Sequence, residues 1–129
     1  MKTIKQTYLI KAPIREVWKA LVDPKYINAW GGGPAKMEGT EGFRFVLWGG
    51  EIFGKNTQVV ENAKLIQEWW DRAGKWDEPS IAEFELVQKG DKVKLTLTHA
   101  NLPDESKKDI DEGWKKFYLG PLKKYLEEK

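Results

Sequence analysis

The sequence contains no cysteine and a single histidine among its 129 residues. The lack of cysteine excludes disulfides, thiolate nucleophiles and cysteine-ligated zinc or iron–sulfur centres. A metal site would therefore depend on carboxylates, and the Asp and Glu residues show no spacing that supports one. We expect neither a metal nor a cofactor.

The chain also lacks an excess of either charge and any long hydrophobic run. Its 22 Lys and Arg residues against 20 Asp and Glu residues give a net charge of +2, which argues against nucleic acid as a partner. No apolar run approaches the ~18 residues that span a bilayer, and the first residues do not resemble a signal peptide. The sequence predicts a cytoplasmic protein without membrane insertion.

Aromatic residues, in contrast, are abundant: 7 Trp, 5 Phe and 4 Tyr. These side chains supply a large buriable area per residue, so a chain of this length can form one hydrophobic core. We expect a single domain over residues 1–129, present as a monomer or a weak homodimer.

The apolar pattern begins with a strand and two short helices. Residues 3–11 alternate as a half-buried strand does, and Pro13 opens a helix with apolar residues at i, i+3, i+4 and i+7. Asp23 and Pro24 begin a second short helix, which ends at the glycines before Pro34. Six strand patterns with turn residues between them follow, at Ala35–Glu38, Phe43–Trp48, Glu51–Glu61, Lys64–Arg72, Ser80–Gln88 and Asp91–Ala100.

A final helix begins at Pro103 and continues almost to the last residue, with Gly113, Gly120 and Pro121 expected to weaken or bend it. This order of elements predicts an α+β fold in which a curved antiparallel sheet wraps the long C-terminal helix. Such a sheet and helix rarely close completely, so an apolar cavity between them is plausible.

Several motifs resemble one known family, the homologues of the activator of heat-shock protein 90 ATPase within the START-like (SRPBCC) superfamily. They are Ala12-Pro13 with Val17-Trp18, Gly42 to Phe45, Gly54, Ile66 to Trp70, Leu97 to His99 before Leu102-Pro103, and Gly113-Trp114 with Tyr118, Leu122, Tyr125 and Leu126. The resemblance implies a helix-grip fold and a single domain similar to the C-terminal domain of the cochaperone. It also implies a cavity that in relatives holds sterols, lipids, plant hormones or polyketide intermediates.

Ten residues are candidates for contact with a ligand in this cavity. Gln67 shares a strand face with Leu65 and Trp69. Strand alternation predicts an inner face for Phe43, Phe45 and Leu47, for Ala82, Phe84 and Leu86, and for Val93, Leu95, Leu97 and His99. His99 ends an inner-facing strand, where it either contacts a ligand, acts as a general base or makes a structural hydrogen bond to the turn at Asn101. The candidates are Phe43, Phe45, Gln67, Trp69, Phe84, Leu95, His99, Trp114, Phe117 and Tyr118.

Three functions are compatible with these residues. The first is binding of a small hydrophobic or aromatic ligand without catalysis, and no catalytic residue is assigned. The second is a stress-related cochaperone role, with a heat-shock chaperone as partner. The third is a cyclase- or hydrolase-like reaction in the same cavity. An exposed Trp76, in the hydrophilic hairpin from Gly74 to Pro79, would indicate a partner surface or a lid.

Overall fold

The computed structural model describes residues 1–74 and 76–129. In this part of the chain, six strands and four α-helices form two layers. The strands are β1 (Lys2–Ile10), β2 (Arg44–Leu47), β3 (Ile52–Val60), β4 (Lys64–Asp71), β5 (Ser80–Lys89) and β6 (Lys92–Leu102). The α-helices are α1 (Ile14–Val22), α2 (Pro24–Trp30), α3 (Lys107–Gly113) and α4 (Leu119–Glu127). No helix in the described part of the chain is long and apolar enough to cross a membrane.

The strands form one antiparallel sheet in the order β1-β6-β5-β4-β3-β2, which confirms the predicted α+β helix-grip architecture. The predicted strand at Ala35–Glu38 is wrong, because only Lys36 pairs with the sheet, at Val46. The backbone groups on either side bind elsewhere. The N–H of Ala35 donates to the side chain of Asn28, and the carbonyl of Glu38 accepts from the side chain of Asn56.

The inner face of the sheet carries the residues that alternation placed there. Ala82, Phe84 and Leu86 on β5 are buried, as are Val93, Leu95, Leu97 and His99 on β6. α1 and α2 close one end of this core, and the carboxylate of Asp23 accepts from the N–H of Lys25 at 2.9 Å to cap α2. Trp76 is only 5% exposed and belongs to the core, while its neighbour Lys75 lies outside the described residues.

A π-helical segment, Trp114–Tyr118, joins α3 to α4, and the N–H of Leu119 donates to the carbonyl of Trp114 five residues earlier. Two residues explain this wider turn. Pro121 has no N–H to donate to the carbonyl four residues before it, and a Cβ at Gly120 would collide with the carbonyl oxygen of Lys115. The predicted weakening of the helix therefore takes the form of a π turn.

Candidate functional site

A cavity of about 440 Å³ lies between the C-terminal helix and the end of the sheet formed by β3, β4 and the β2–β3 turn. Its volume falls in the usual range for small-molecule sites. The wall surface is almost entirely apolar, and half of the lining residues are aromatic. It is lined by Trp48, Glu51, Ile52, Trp69, Asp109, Ile110, Gly113, Trp114, Phe117 and Tyr118.

Two stacked tryptophans form the floor of the cavity. The rings of Trp69, on β4, and Trp114, in the π segment, lie 4.8 Å apart with 29° between their planes. The indole N–H of Trp69 donates to Oε1 of Gln67 at 2.8 Å, and that of Trp114 donates to Nδ1 of His99 at 2.9 Å. Each ring is thus fixed in position by a hydrogen bond as well as by packing.

His99 links the helix to the sheet behind this floor. Because its Nδ1 accepts from Trp114, its Nε2 carries the proton and donates to Oγ of Ser80 at 2.7 Å. The hydroxyl of Ser80 lies 3.5 Å from the carbonyl oxygen of Trp69. The side chain of His99 is fully buried, and this burial lowers its pKa to about 3, so the ring is neutral at pH 7. The structural partner of His99 is therefore Trp114 rather than the turn at Asn101.

Gln67 is held by a second set of hydrogen bonds. Its Nε2 donates to Oδ1 of Asn56 at 2.9 Å, and Nδ2 of Asn56 donates to the carbonyls of Glu38 at 2.8 Å and Thr40 at 3.2 Å. Gln67 and Asn56 are both fully buried. The amide that orients Trp69 is consequently fixed itself, which keeps the floor of the cavity in one arrangement.

Trp48 forms a side wall with an unusual backbone. Its φ of 49° lies in the left-handed region, where a bulky residue is strained. Its backbone N–H donates to Gly32 at 2.8 Å, its indole N–H donates to Gly31 at 3.0 Å, and its ring packs edge-on at 5.9 Å from Tyr118. The glycine-rich connector after α2 therefore holds this wall in place.

Tyr118 lies where all these aromatic groups meet. Its ring centroid is 4.6 Å from Trp30, 4.7 Å from Trp114 and 5.7 Å from Phe84. Within residues 1–74 and 76–129, its hydroxyl is the one buried side-chain polar atom without a hydrogen-bond partner. Burial raises the pKa of this hydroxyl above its ordinary value. Tyr118 thus lines the cavity with a side chain whose hydroxyl is a buried polar group without a protein partner.

The mouth of the cavity is more polar than the floor. Phe117 is 63% exposed there, and the side chains of Glu51 and Asp109 are also exposed. Among the described residues no group of three His, Cys, Asp or Glu side chains could hold a metal ion. The cavity is suited to a mainly apolar molecule that carries a polar group at the end nearest the two carboxylates.

Four of the ten candidate residues line this cavity: Trp69, Trp114, Phe117 and Tyr118. Gln67 and His99 are the buried hydrogen-bond partners of its two floor tryptophans. The remaining candidates do not line it, since Phe45, Phe84 and Leu95 lie in the core and Phe43 is half-buried before β2.

The other lining residues were not among the candidates predicted from the sequence. For those on the C-terminal helix one pattern was informative: Ile110, Gly113, Trp114 and Phe117 follow the i, i+3, i+4, i+7 spacing of a single helix face. No comparable pattern indicates Glu51 and Asp109. They come to one cavity because α3 and the β2–β3 turn both border it.

A curved antiparallel sheet that grips a C-terminal helix over an aromatic cavity defines the class of START-like, helix-grip domains. Within this class the family model described as "Activator of Hsp90 ATPase homolog 1-like protein" matches residues 11–127. The chain therefore belongs to that family, as the motifs in the sequence indicated.

Individual relatives agree with this assignment. The human activator of 90 kDa heat shock protein ATPase homolog 1 is 23% identical over 123 residues, which are 94% of this chain and 35% of the human protein. The chain thus spans about a third of the length of this curated relative. A crystal structure described as an HSP90 activator from Plasmodium falciparum has a TM-score of 0.86 at 23% identity, covering 96% of this chain and 95% of that one. CalU16 from Micromonospora echinospora has a TM-score of 0.77 at 29% identity, covering 96% and 72%.

Proposed function

We propose that this protein binds a small hydrophobic or aromatic ligand in the cavity between the sheet and the C-terminal helix. The observation that carries the proposal is the floor of the cavity, where Trp69 and Trp114 stack while their N–H groups are satisfied inside the protein. A wall already held in one arrangement loses little conformational entropy when a ligand binds, and this favours affinity.

Catalysis by His99 is not part of the proposal. A general base must reach its substrate directly or through one water, whereas His99 is fully buried and uses both ring nitrogens in hydrogen bonds to Trp114 and Ser80. The cyclase- or hydrolase-like alternative consequently has no specific observation in its favour.

A substitution that fills the cavity tests the proposal. A Cβ at Gly113 would have only the ring of Phe117 within 4 Å, at 4.0 Å, so a larger side chain there can extend along the wall. We expect Gly113→Leu to weaken binding of the neutral probe N-phenyl-1-naphthylamine at least tenfold, measured by probe fluorescence. The matched control is Lys108→Leu, on the exposed surface of the same helix.

The expected result is loss of binding in Gly113→Leu alone, with both variants folded by circular dichroism. Equal affinity of the two variants would contradict the proposal. Native mass spectrometry of gently purified protein adds an independent measurement, since a bound molecule adds its mass to the 14.9 kDa chain and can be released for identification.

A cochaperone role is the second candidate, and it is supported by the similarity to activators of the heat-shock protein 90 ATPase. The Plasmodium falciparum protein described as an HSP90 activator matches this chain over almost the whole length of both. The exposed Phe117 gives the surface near the cavity an apolar contact point. If this role holds, added protein raises the ATP turnover of heat-shock protein 90 in a saturable way, whereas a flat response would rule it out.

A further inference from the structure

The charged residues known to line the cavity have the same sign. Glu51, at the β2–β3 turn, and Asp109, on α3, both line it, and no Lys, Arg or His within residues 1–74 and 76–129 does so. The chain as a whole has slightly more basic than acidic residues, so this local composition differs from that of the protein surface. Two carboxylates at the entrance favour a cation and repel an anion.

The aromatic lining is compatible with a cation of this kind. Five of the ten lining residues are aromatic: Trp48, Trp69, Trp114, Phe117 and Tyr118. The faces of Trp69 and Trp114 stack on each other, so these indoles offer an apolar floor to the body of a ligand. Phe117 is exposed at the mouth, where its ring can attract a cation that approaches its face within ~6 Å. An aromatic ligand body and a positive group beside the carboxylates are therefore compatible in one molecule.

We propose that the ligand of this cavity is an organic cation, with an aromatic or otherwise hydrophobic body on the tryptophan floor and an ammonium-like group near Glu51 and Asp109. This inference rests on the proposed function, and it adds the sign of the ligand's charge. It disfavours fatty acids and other carboxylates, because their charged group would face these two side chains.

Arg72 is a basic group that competes for the carboxylate of Glu51. Its guanidinium lies 3.3 Å from a carboxylate oxygen of Glu51, although Arg72 does not line the cavity. Both side chains are about two-thirds exposed, with relative exposures of 67% and 65%. An ion pair this exposed contributes only ~0–1 kcal/mol, so a cation inside the mouth can displace the guanidinium.

Lysines on the neighbouring elements have a weaker influence. Lys107 and Lys108 on α3 and Lys115 and Lys116 in the π segment are all exposed, and none lines the cavity. Solvent and salt screen exposed charges over about 8–10 Å. Glu51 and Asp109 line the cavity, so a bound ligand can contact their carboxylates directly, whereas these lysines act on it only through screened, longer-range attraction or repulsion.

Three probes with one hydrophobic body and different charges test the inference. They are (naphthalen-2-ylmethyl)trimethylammonium, naphthalen-2-ylmethanol and naphthalene-2-carboxylate, titrated by isothermal calorimetry at low ionic strength. We expect the cation to bind about threefold or more tighter than the alcohol, and the carboxylate to bind weakest. Gly113→Leu, which fills the cavity, should block all three probes.

Charge variants at the mouth sharpen the result. The double variant Glu51→Gln/Asp109→Asn should weaken the cation about threefold and leave the alcohol within twofold, since each exposed charge contributes a modest energy. Arg72→Met should act in the opposite direction and strengthen the cation alone.

The possible failures are distinguishable. If the alcohol binds and Gly113→Leu blocks it, but the carboxylate binds as tightly as the cation, the charge inference is overturned and the proposed function stands. If none of the probes binds, or if binding survives Gly113→Leu, both are overturned.

Discussion

The two halves of the C-terminal helix, on either side of the π segment, have different structural roles. α4 buries Leu119, Leu122 and Leu126 and packs against α1, α2 and β1. α3 buries no residue completely, and it contributes Asp109, Ile110 and Gly113 to the cavity. One half of the helix thus completes the core while the other forms a wall of the candidate site, so stability and binding are assigned to separate segments.

The attachment of α3 to the sheet is correspondingly polar. Nε2 of Gln6, on β1, donates to the backbone carbonyl of Asp111 at 2.9 Å and to its carboxylate at 2.6 Å. The hydroxyl of Tyr8 donates to Oε1 of Gln6 at 2.6 Å. Hydrogen bonds of this kind fix the position of α3 without the apolar burial that holds α4.

The largest expected effect is a difference in how much each half contributes to the free energy of unfolding. Leu122→Ala removes a fully buried side chain from α4 and should lower the free energy of unfolding by ~2–4 kcal/mol, whereas Ile110→Ala, at a half-buried position, should cost less than ~1.5 kcal/mol. Urea denaturation measures both values. Probe binding should show the reverse order, with the larger loss in Ile110→Ala. Equal losses of stability in the two variants would contradict the division of the helix.

The second prediction concerns His99, which lies beneath the joint between the halves. Its pKa is about 3 in the folded protein against 6.5 in the unfolded chain, so the unfolded state binds more protons as the pH falls below 6.5. The stability contributed by the neutral ring is fully present above that pH and is lost progressively below it. We expect a loss of about 2 kcal/mol between pH 7 and pH 5, measured by urea denaturation at each pH.

His99→Gln is the control for this pH dependence. The variant should be less stable at pH 7 by ~1–3 kcal/mol, because the indole N–H of Trp114 loses its acceptor, but its stability should change little between pH 7 and pH 5. The pKa of Glu83 is raised chiefly by burial, so this group makes the folded protein more stable as the pH falls. Because Glu83 is present in both proteins, its effect cancels when the two are compared. A wild-type protein that is equally stable at pH 5 and pH 7 would contradict a buried, neutral His99 with a lowered pKa.

The third prediction compares the two glycines that flank the π segment. Gly120→Ala places a methyl group against the carbonyl of Lys115 and should cost ~1–3 kcal/mol, because the backbone there must shift. Gly113→Ala meets only the ring of Phe117, at 4.0 Å, and should be neutral or stabilising by up to ~1 kcal/mol, since alanine favours a helix. Thermal unfolding of both variants measures the difference. Equal destabilisation would mean that the π turn does not depend on Gly120.

Most of the fold could be predicted from the sequence because it follows from local periodicity. Strand alternation correctly placed Ala82, Phe84 and Leu86 on the inner face, and Gly113, Gly120 and Pro121 indicated a disturbed helix. The prediction of a strand at Ala35–Glu38 was wrong because backbone groups of this segment bind the side chains of Asn28 and Asn56. No periodic pattern in the sequence reveals such bonds.

The site was less predictable because it depends on long-range packing. Trp69 and Trp114 could be selected as aromatic residues on facing elements, and they do line the cavity. Nothing in the sequence distinguishes Glu51 and Asp109 from other surface carboxylates, and only the tertiary fold, in which the β2–β3 turn and α3 border one cavity, brings them to the same site. The buried bond from Trp114 to His99 likewise joins a helix and a strand whose relative position the sequence does not encode locally.

The smallest expected effect concerns Tyr118, in the π segment itself. Its buried hydroxyl has no partner, so Tyr118→Phe should leave the free energy of unfolding unchanged or raise it by up to ~1 kcal/mol. Tyr26→Phe is the matched control, because the hydroxyl of Tyr26 donates to Glu16 at 2.9 Å, and its loss should cost ~0.5–1.5 kcal/mol. Urea denaturation distinguishes the two cases. If Tyr118→Phe destabilises the protein as much as Tyr26→Phe does, the hydroxyl has a hydrogen-bond partner in the folded protein. If it does not, the desolvated hydroxyl contributes nothing to folding, and the contribution of Tyr118 to the core comes from its ring, which packs against Trp30, Trp114 and Phe84.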